Sequence, residues 1–243
     1  INNLDKGNIM PIPIYSIKEL HVSQGDEDKL HIKQFDIHRG ACYVFEGRMG
    51  SGKTTLLNIL YSRKNYGKGE IQFEEKNISN YSYKEYQKQI SMVPQIFIPP
   101  WGIVDNYILK TIQRYPHIKN PDKHRNEIVR KMKISSLLQR KMKSLTPGEL
   151  RWVVLAAQIA SDTKVLLIDE YEQHLSKDDL KILNNILYRK INYDGITLIT
   201  TTQNKDILNS LASVIITLEN GRITSLRSFN KKRKDNYRHK RRK

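Results

Sequence analysis

The chain has 243 residues and a formal net charge of +17, long enough to bury a core as one domain or as one domain carrying a subdomain. Its single cysteine, Cys42, excludes an intrachain disulfide and a cysteine-built metal cluster, and no apolar run reaches the length of a membrane span. With no secretion-signal pattern at the start, a soluble protein of the reducing cytoplasm is expected. Residues 1–9 precede Met10, which opens the first strand-like stretch, and are expected to be a non-native or disordered leader.

Alternating or apolar runs predict strands at Tyr15–Val22, Leu30–Ile37, Ala41–Phe45 and Ile71–Phe73, with Cys42 in ACYVF reading as a buried structural thiol. Between the last two lies GRMGSGKTT, directly after a strand and directly before the helical run TLLNILY. Gly47, Gly52, Lys53 and Thr54 match the P-loop pattern in the strand, loop and helix setting that it requires. Glycines let consecutive N–H groups turn toward a phosphate chain, Lys53 reaches the β and γ phosphates, and the Thr54 hydroxyl is a Mg2+ ligand. Arg48, Met49, Gly50, Ser51 and Thr55 complete the nucleotide-binding stretch.

From about Ile96 to Ser144 the chain is Pro-punctuated, rich in Lys and Arg and helical by spacing, which predicts an inserted helical subdomain over about 96–150. In LTPGELRW, Thr146 is an N-cap, Pro147 suits the first helical position and Glu149 completes a capping box. Such a start also presents free N–H groups and a positive dipole end, the equipment of an anion site; a plain cap is the alternative reading. Next, KVLLIDE ends an apolar strand on Asp169 and Glu170. Beside a P-loop, Asp169 can hold Mg2+ and Glu170 can polarise the water that attacks the γ phosphate.

Strand patterns at Val165–Asp169, Gly195–Thr201 and Val214–Leu218 complete the order of an α/β domain with a largely parallel sheet, and Asn220 and Gly221 suit a tight closing hairpin. Residues 231–243 hold nine Lys/Arg against one Asp, a net +8 that leaves +9 for the rest. A run of that kind reads as a disordered tail drawn to anionic lipid or nucleic acid. The folded domain is expected over 10–222 and the tail over 223–243.

The P-loop, VPQ ending at Gln95, LTPGELR and LLIDE occur in the order and spacing of ABC-type ATPases, which the chain resembles from about Ile14 to Ile223. The resemblance implies a P-loop NTPase core of ABC type, with a mostly parallel sheet, an antiparallel β part and the inserted helical subdomain. It implies ATP and Mg2+ as cofactors, with Thr54, Gln95 and Asp169 as metal contacts and Lys53, Glu170 and Gln203 as catalytic residues. Leu145 to Glu149 resembles the signature motif Leu-Ser-Gly-Gly-Gln/Glu. Thr146, Gly148 and Glu149 would then face ATP held by a second subunit, a copy or a paralogue, in a head-to-tail dimer. The implied location is the inner face of the cell membrane. There, an integral membrane subunit would dock near Phe97 to Trp101 in QIFIPPWGIV.

Several residues depart from the family pattern. Pro147 replaces a signature glycine and brings no N–H. After Glu170 the chain runs YEQHLSKDD, with Ser176 at a position usually held by aspartate; it reads equally as a dimer contact and as the N-cap of a helix over Lys177–Ile191. Gln203 stands where the family has a switch histidine and carries no positive charge. Turnover that is slow or partner-dependent follows as an expectation. For the aromatic group that stacks on adenine, the chain offers only Tyr15 or His21. A soluble ATPase acting on nucleic acid and a degenerate regulatory subunit are the alternatives. About 115 residues between Lys53 and Asp169 leave no room for a long coiled-coil insertion, which counts against the first; retention of Lys53, Asp169 and Glu170 counts against the second.

Overall fold

The apolar runs assemble into two sheets in the computed structural model, which describes residues 12–24, 27–62, 67–204, 208 and 210–229. The first sheet contains β1 (Tyr15–Gln24), β2 (Glu27–Ile37), β4 (Lys68–Phe73) and β5 (Lys76–Asn77), antiparallel in the order β2-β1-β4-β5. The second contains β3 (Cys42–Glu46), β6 (Ile90–Val93), β7 (Val165–Ile168), β8 (Thr197–Thr202), β9 (Val214–Glu219) and β10 (Arg222–Ser228), in the order β10-β9-β3-β8-β7-β6. Its neighbours run parallel except in the β9–β10 hairpin. Among the described residues six α-helices accompany them: α1 (Lys53–Ser62), α2 (Tyr83–Gln87), α3 (Val104–Ile112), α4 (Pro121–Met132), α5 (Pro147–Ala160) and α6 (Lys177–Asn192).

The central strands are apolar at consecutive positions because both faces of their sheet are covered. Cys42 and Val44 of β3 pack into one cluster with the helices after residue 100, while Tyr43 and Phe45 pack into the other with α1 and the antiparallel sheet. In β7, Leu166 and Ile168 join the first cluster and Val165 and Leu167 the second. The same logic buries α5 almost all round: it packs on α3, α4 and β6, and the Trp152 indole N–H donates to Met132 O at the end of α4 (3.0 Å).

Two boundaries differ from the sequence expectation. β6 was not anticipated, since ISMV is four residues with no alternation; it lies at the sheet edge beside β7. The expected tail from 223 begins too early, because Arg222–Ser228 pair with β9 as the outermost strand. That strand is almost wholly exposed, so it lacks an apolar pattern. The leader at 1–9 and the basic run at 231–243 lie outside the described residues.

The topology sets up a single edge. β3, β8, β7 and β6 are adjacent and parallel, so the loops after Glu46, Thr202, Ile168 and Val93 leave the same side of the sheet, where ligands bind in open α/β folds.

Candidate nucleotide site

The turn from β3 into α1 is shaped by what surrounds it. A side chain at Gly47 would meet Leu218 O at 2.2 Å, and one at Gly52 would meet Lys29 O at 2.7 Å. Both glycines have positive φ, so only glycine fits. The loop is braced from the far end of the chain: Gly221 in the β9–β10 turn donates its N–H to Ser51 O (3.2 Å) and accepts from His31 N–H (2.8 Å). Lys53 opens α1 and is buried; its ammonium donates to Gly47 O (2.7 Å), Arg48 O (2.9 Å) and Ser51 Oγ (3.3 Å). Burial pushes the Lys53 pKa down, opposed by the carboxylates of Asp169, Glu170 and Glu172. Thr54 and Met49 are exposed at the mouth of the loop, and Thr55 is half-buried.

The carboxylates sit on the loop after β7 and are fixed by threonines at the end of β8. The Thr201 hydroxyl donates to Asp169 Oδ1 (2.6 Å) and accepts from the Glu170 N–H (2.7 Å). Asp169 is 1% exposed, and its other oxygen, Oδ2, is buried with no hydrogen-bond partner. Glu170 has φ of 51°, a left-handed conformation uncommon outside glycine, held by that threonine and by Tyr171 N–H to Thr201 O (2.9 Å). Gln203 follows β8 and reaches back, its side-chain amide donating to Glu170 Oε1 (2.9 Å).

Sequence reasoning assigned no role to Arg151, Thr201 or Glu172. Arg151, on α5, is 6% exposed and donates to Pro94 O (2.6 Å), Asp169 O (2.6 Å) and Glu170 O (2.8 Å). Burial lowers its pKa to about 10, against the pull of Asp169, Glu170 and Glu172. One cation thus ties α5 to carbonyls after β6 and after β7. Its signal was a charged residue at the head of the apolar run WVVLAA, on a helix buried almost all round. Gln95, directly after Pro94, is half-buried and lines a cavity of about 310 Å3 with Leu145, Pro147, Arg151 and His174.

The start of α5 forms the capping box: the Thr146 hydroxyl accepts from the Glu149 N–H (3.3 Å) and Glu149 Oε2 accepts from the Thr146 N–H (2.9 Å). Arg140 pairs with Glu149 Oε1 at 2.5 Å. Gly148 lies against the loop after β7, where an added Cβ would be 2.9 Å from His174 O. Ser176 caps α6 through Asp179 in a second capping box. His174 is exposed on the loop.

Two expectations are corrected here. Tyr15 cannot stack on a base, because it is fully buried with its hydroxyl 3.0 Å from that of Tyr86. His21 is partly exposed, stacked on His31 and bonded to Asp28 (2.8 Å). Phe97 is not an exposed anchor; it is half-buried edge-on to Tyr107 with centroids 5.7 Å apart. Its neighbours Ile96, Ile98 and Trp101 are the exposed ones, at 80%, 86% and 87%.

The model of one family, described as ABC transporter, matches residues 30–173. The chain belongs to the ABC transporter family. This cassette is 28% identical over 219 residues to the methionine import ATP-binding protein MetN of Clostridium tetani, covering 86% of this chain and 67% of that protein. Against the protein of the same name from Campylobacter jejuni it is 27% identical over 230 residues, with 85% and 68% covered.

Among solved structures it resembles an ATP-binding subunit of an ABC transporter, with a TM-score of 0.79, 14% identity, and 88% and 90% of the two chains covered. A dimeric post-hydrolysis state of the ATP-binding cassette MJ0796 bound to ADP and Pi gives 0.78 at 21% identity, with 88% and 98% covered. CbiO1 of Clostridium perfringens, part of the transporter complex cbiONQ, gives 0.73 at 22% identity, with 89% and 88% covered. At such identities the likeness shows the fold: the expected ABC ATPase core with its antiparallel sheet and helical segment. The cassette is the ATP-binding, ATP-hydrolysing subunit of an ABC transporter.

Proposed function

We propose that this cassette closes with a second copy or a paralogue around two ATP molecules and drives a separate membrane subunit from the cytoplasmic face. The observation that carries this reading is the meeting of Lys53, Asp169, Glu170 and Gln203 on one sheet edge, with the capped start of α5 set against the same loop through Gly148. Gly47 to Thr55 would cradle the phosphates, and Thr146, Gly148 and Glu149 would meet the partner's γ phosphate.

The residues fit Mg2+. Asp169 Oδ2 is a buried, unpartnered hard oxygen, and the Thr54 hydroxyl and Gln95 amide supply further oxygens. Among the described residues no cluster of three His, Cys, Asp or Glu side chains forms a closed metal site, which suits an ion completed by phosphate oxygens. The ion, when bound, neutralises charge on the phosphates. Glu170 then accepts a hydrogen bond from the attacking water, while Gln203 holds its other oxygen. A neutral amide at that position and the missing N–H at Pro147 support slow or partner-dependent turnover.

The docking surface is the groove of about 580 Å3 lined by Phe97, Ile98, Trp101, Tyr107, Lys110 and Arg114. Exposed Ile96, Ile98 and Trp101 together make an apolar patch of the kind that binds protein. Among the described residues no helix is long and apolar enough to cross a membrane. The basic run at 231–243 would add attraction to anionic lipid.

Light scattering on purified Glu170→Gln with ATP tests dimer closure, with Lys53→Ala as the binding-deficient control. A doubling of mass in the first variant and none in the second is expected. A monomer in both would overturn closure without the membrane subunit.

A further inference from the structure

We infer that Glu172 is the positioning residue of the hydrolytic site, the group that holds Gln203 where its amide meets Glu170. The inference rests on the reading of Glu170 and Gln203 above and adds the element that makes a neutral switch residue workable.

Gln203 is exposed, at the end of a strand, and a free glutamine there would sample many rotamers. Its side-chain amide donates to Glu170 Oε1 at 2.9 Å. Its backbone is held on both sides by hydrogen bonds that lead to the Glu172 carboxylate, beside the β3 ladder that ends at Thr202. The Gln203 N–H donates to Glu172 Oε1 at 3.2 Å. On its other side, the Asn204 N–H donates to Thr202 Oγ1 at 2.9 Å, and that hydroxyl lies 2.9 Å from each oxygen of Glu172 and 3.0 Å from Asn204 O. Both peptide groups that flank the Gln203 Cα are therefore anchored to one carboxylate, directly and through one hydroxyl.

Glu172 is itself held. It lies two residues after Glu170 on a loop whose next-door Tyr171 is fully buried, with its N–H on Thr201 O (2.9 Å) and its hydroxyl on Asn184 Oδ1 (2.5 Å). Loop and strand end thus close a ring: Glu170, Tyr171, Glu172, Thr202, Gln203 and back to Glu170. A carboxylate suits the vertex because two donors converge on it and it presents two acceptor oxygens; charged acceptors make the stronger hydrogen bonds.

The test is a double-mutant cycle on ATP turnover of the full chain, read with enzyme in excess so that slow hydrolysis is measured in one turnover. Glu172→Ala is expected to slow hydrolysis about tenfold to a hundredfold, the usual loss when a catalytic group is misplaced by about an ångström, with ATP affinity unchanged. Glu172→Gln keeps one acceptor for the Gln203 N–H and is expected within about threefold of wild type. In a Gln203→Ala background, Glu172→Ala is expected to have no further effect.

Hydrogen exchange at the Gln203 amide, expected to accelerate in Glu172→Ala, reads the same link without reference to activity. Wild-type turnover and exchange in Glu172→Ala would overturn the inference, as would a loss that adds fully to that of Gln203→Ala, since additivity marks a general structural role. Undiminished hydrolysis by Glu170→Gln would instead overturn the assignment of the hydrolytic site itself.

Discussion

Replacing Arg151 with methionine would take a guanidinium away from three carbonyl groups, those of Pro94, Asp169 and Glu170. Glu170 O keeps the Gln173 N–H (3.1 Å), but the Pro94 and Asp169 carbonyls lose this donor, and a destabilisation of about 3 kcal/mol is expected, read as a lower urea midpoint at unchanged slope. Arg151→Lys should recover only part, since one ammonium cannot reproduce the planar fork. The position also explains a limit of the sequence: the contacts are to backbone, up to 57 residues away, and nothing about Pro94 or Glu170 in the sequence advertises a carbonyl that needs a donor. Lys53 and Asp169 were legible because their chemistry is written in neighbouring letters, a glycine turn and an apolar strand ending in carboxylates. Thr201 was not, because its value lies in meeting a residue 32 positions earlier.

The start of α5 is an element whose stability depends on charge. The Thr146 N–H and hydroxyl, together with Arg140, hold the Glu149 carboxyl below its usual pKa. Because the folded value is the lower one, this contribution is complete above the ordinary glutamate range and is lost as pH falls through the folded value. A carbon-detected NMR titration of Glu149 should show its midpoint below those of unpaired glutamates, and Thr146→Ala should move it upward. The same substitution should cost about 1 kcal/mol through the lost cap. This helix could be foreseen from Thr, Pro and Glu at fixed offsets, since capping is local. β10 could not: its residues are exposed, and only pairing with β9 makes it a strand. β6 escaped for the opposite reason, being too short to show a period.

At the scale of the whole molecule, the groups proposed for hydrolysis and those proposed for docking lie on different elements. The proposed nucleotide groups sit at the sheet edge, while Trp101 stands 87% exposed with the Lys143 ammonium 3.3 Å from its ring centroid. Trp101→Ala should therefore leave the melting temperature and the turnover of the isolated cassette unchanged. It should abolish stimulation by the cognate membrane subunit in a reconstituted ATPase assay. Equal stimulation of the variant would place docking elsewhere.

No nucleotide motif lies beyond Gln203, yet the hairpin that follows braces the phosphate loop, through Gly221 on Ser51 and Leu218 against Gly47. The chain leaves this fold along β10, one turn away from that brace. Loss of the β9–β10 pairing is therefore expected to slacken the 47–51 turn as well as the outer edge of the sheet.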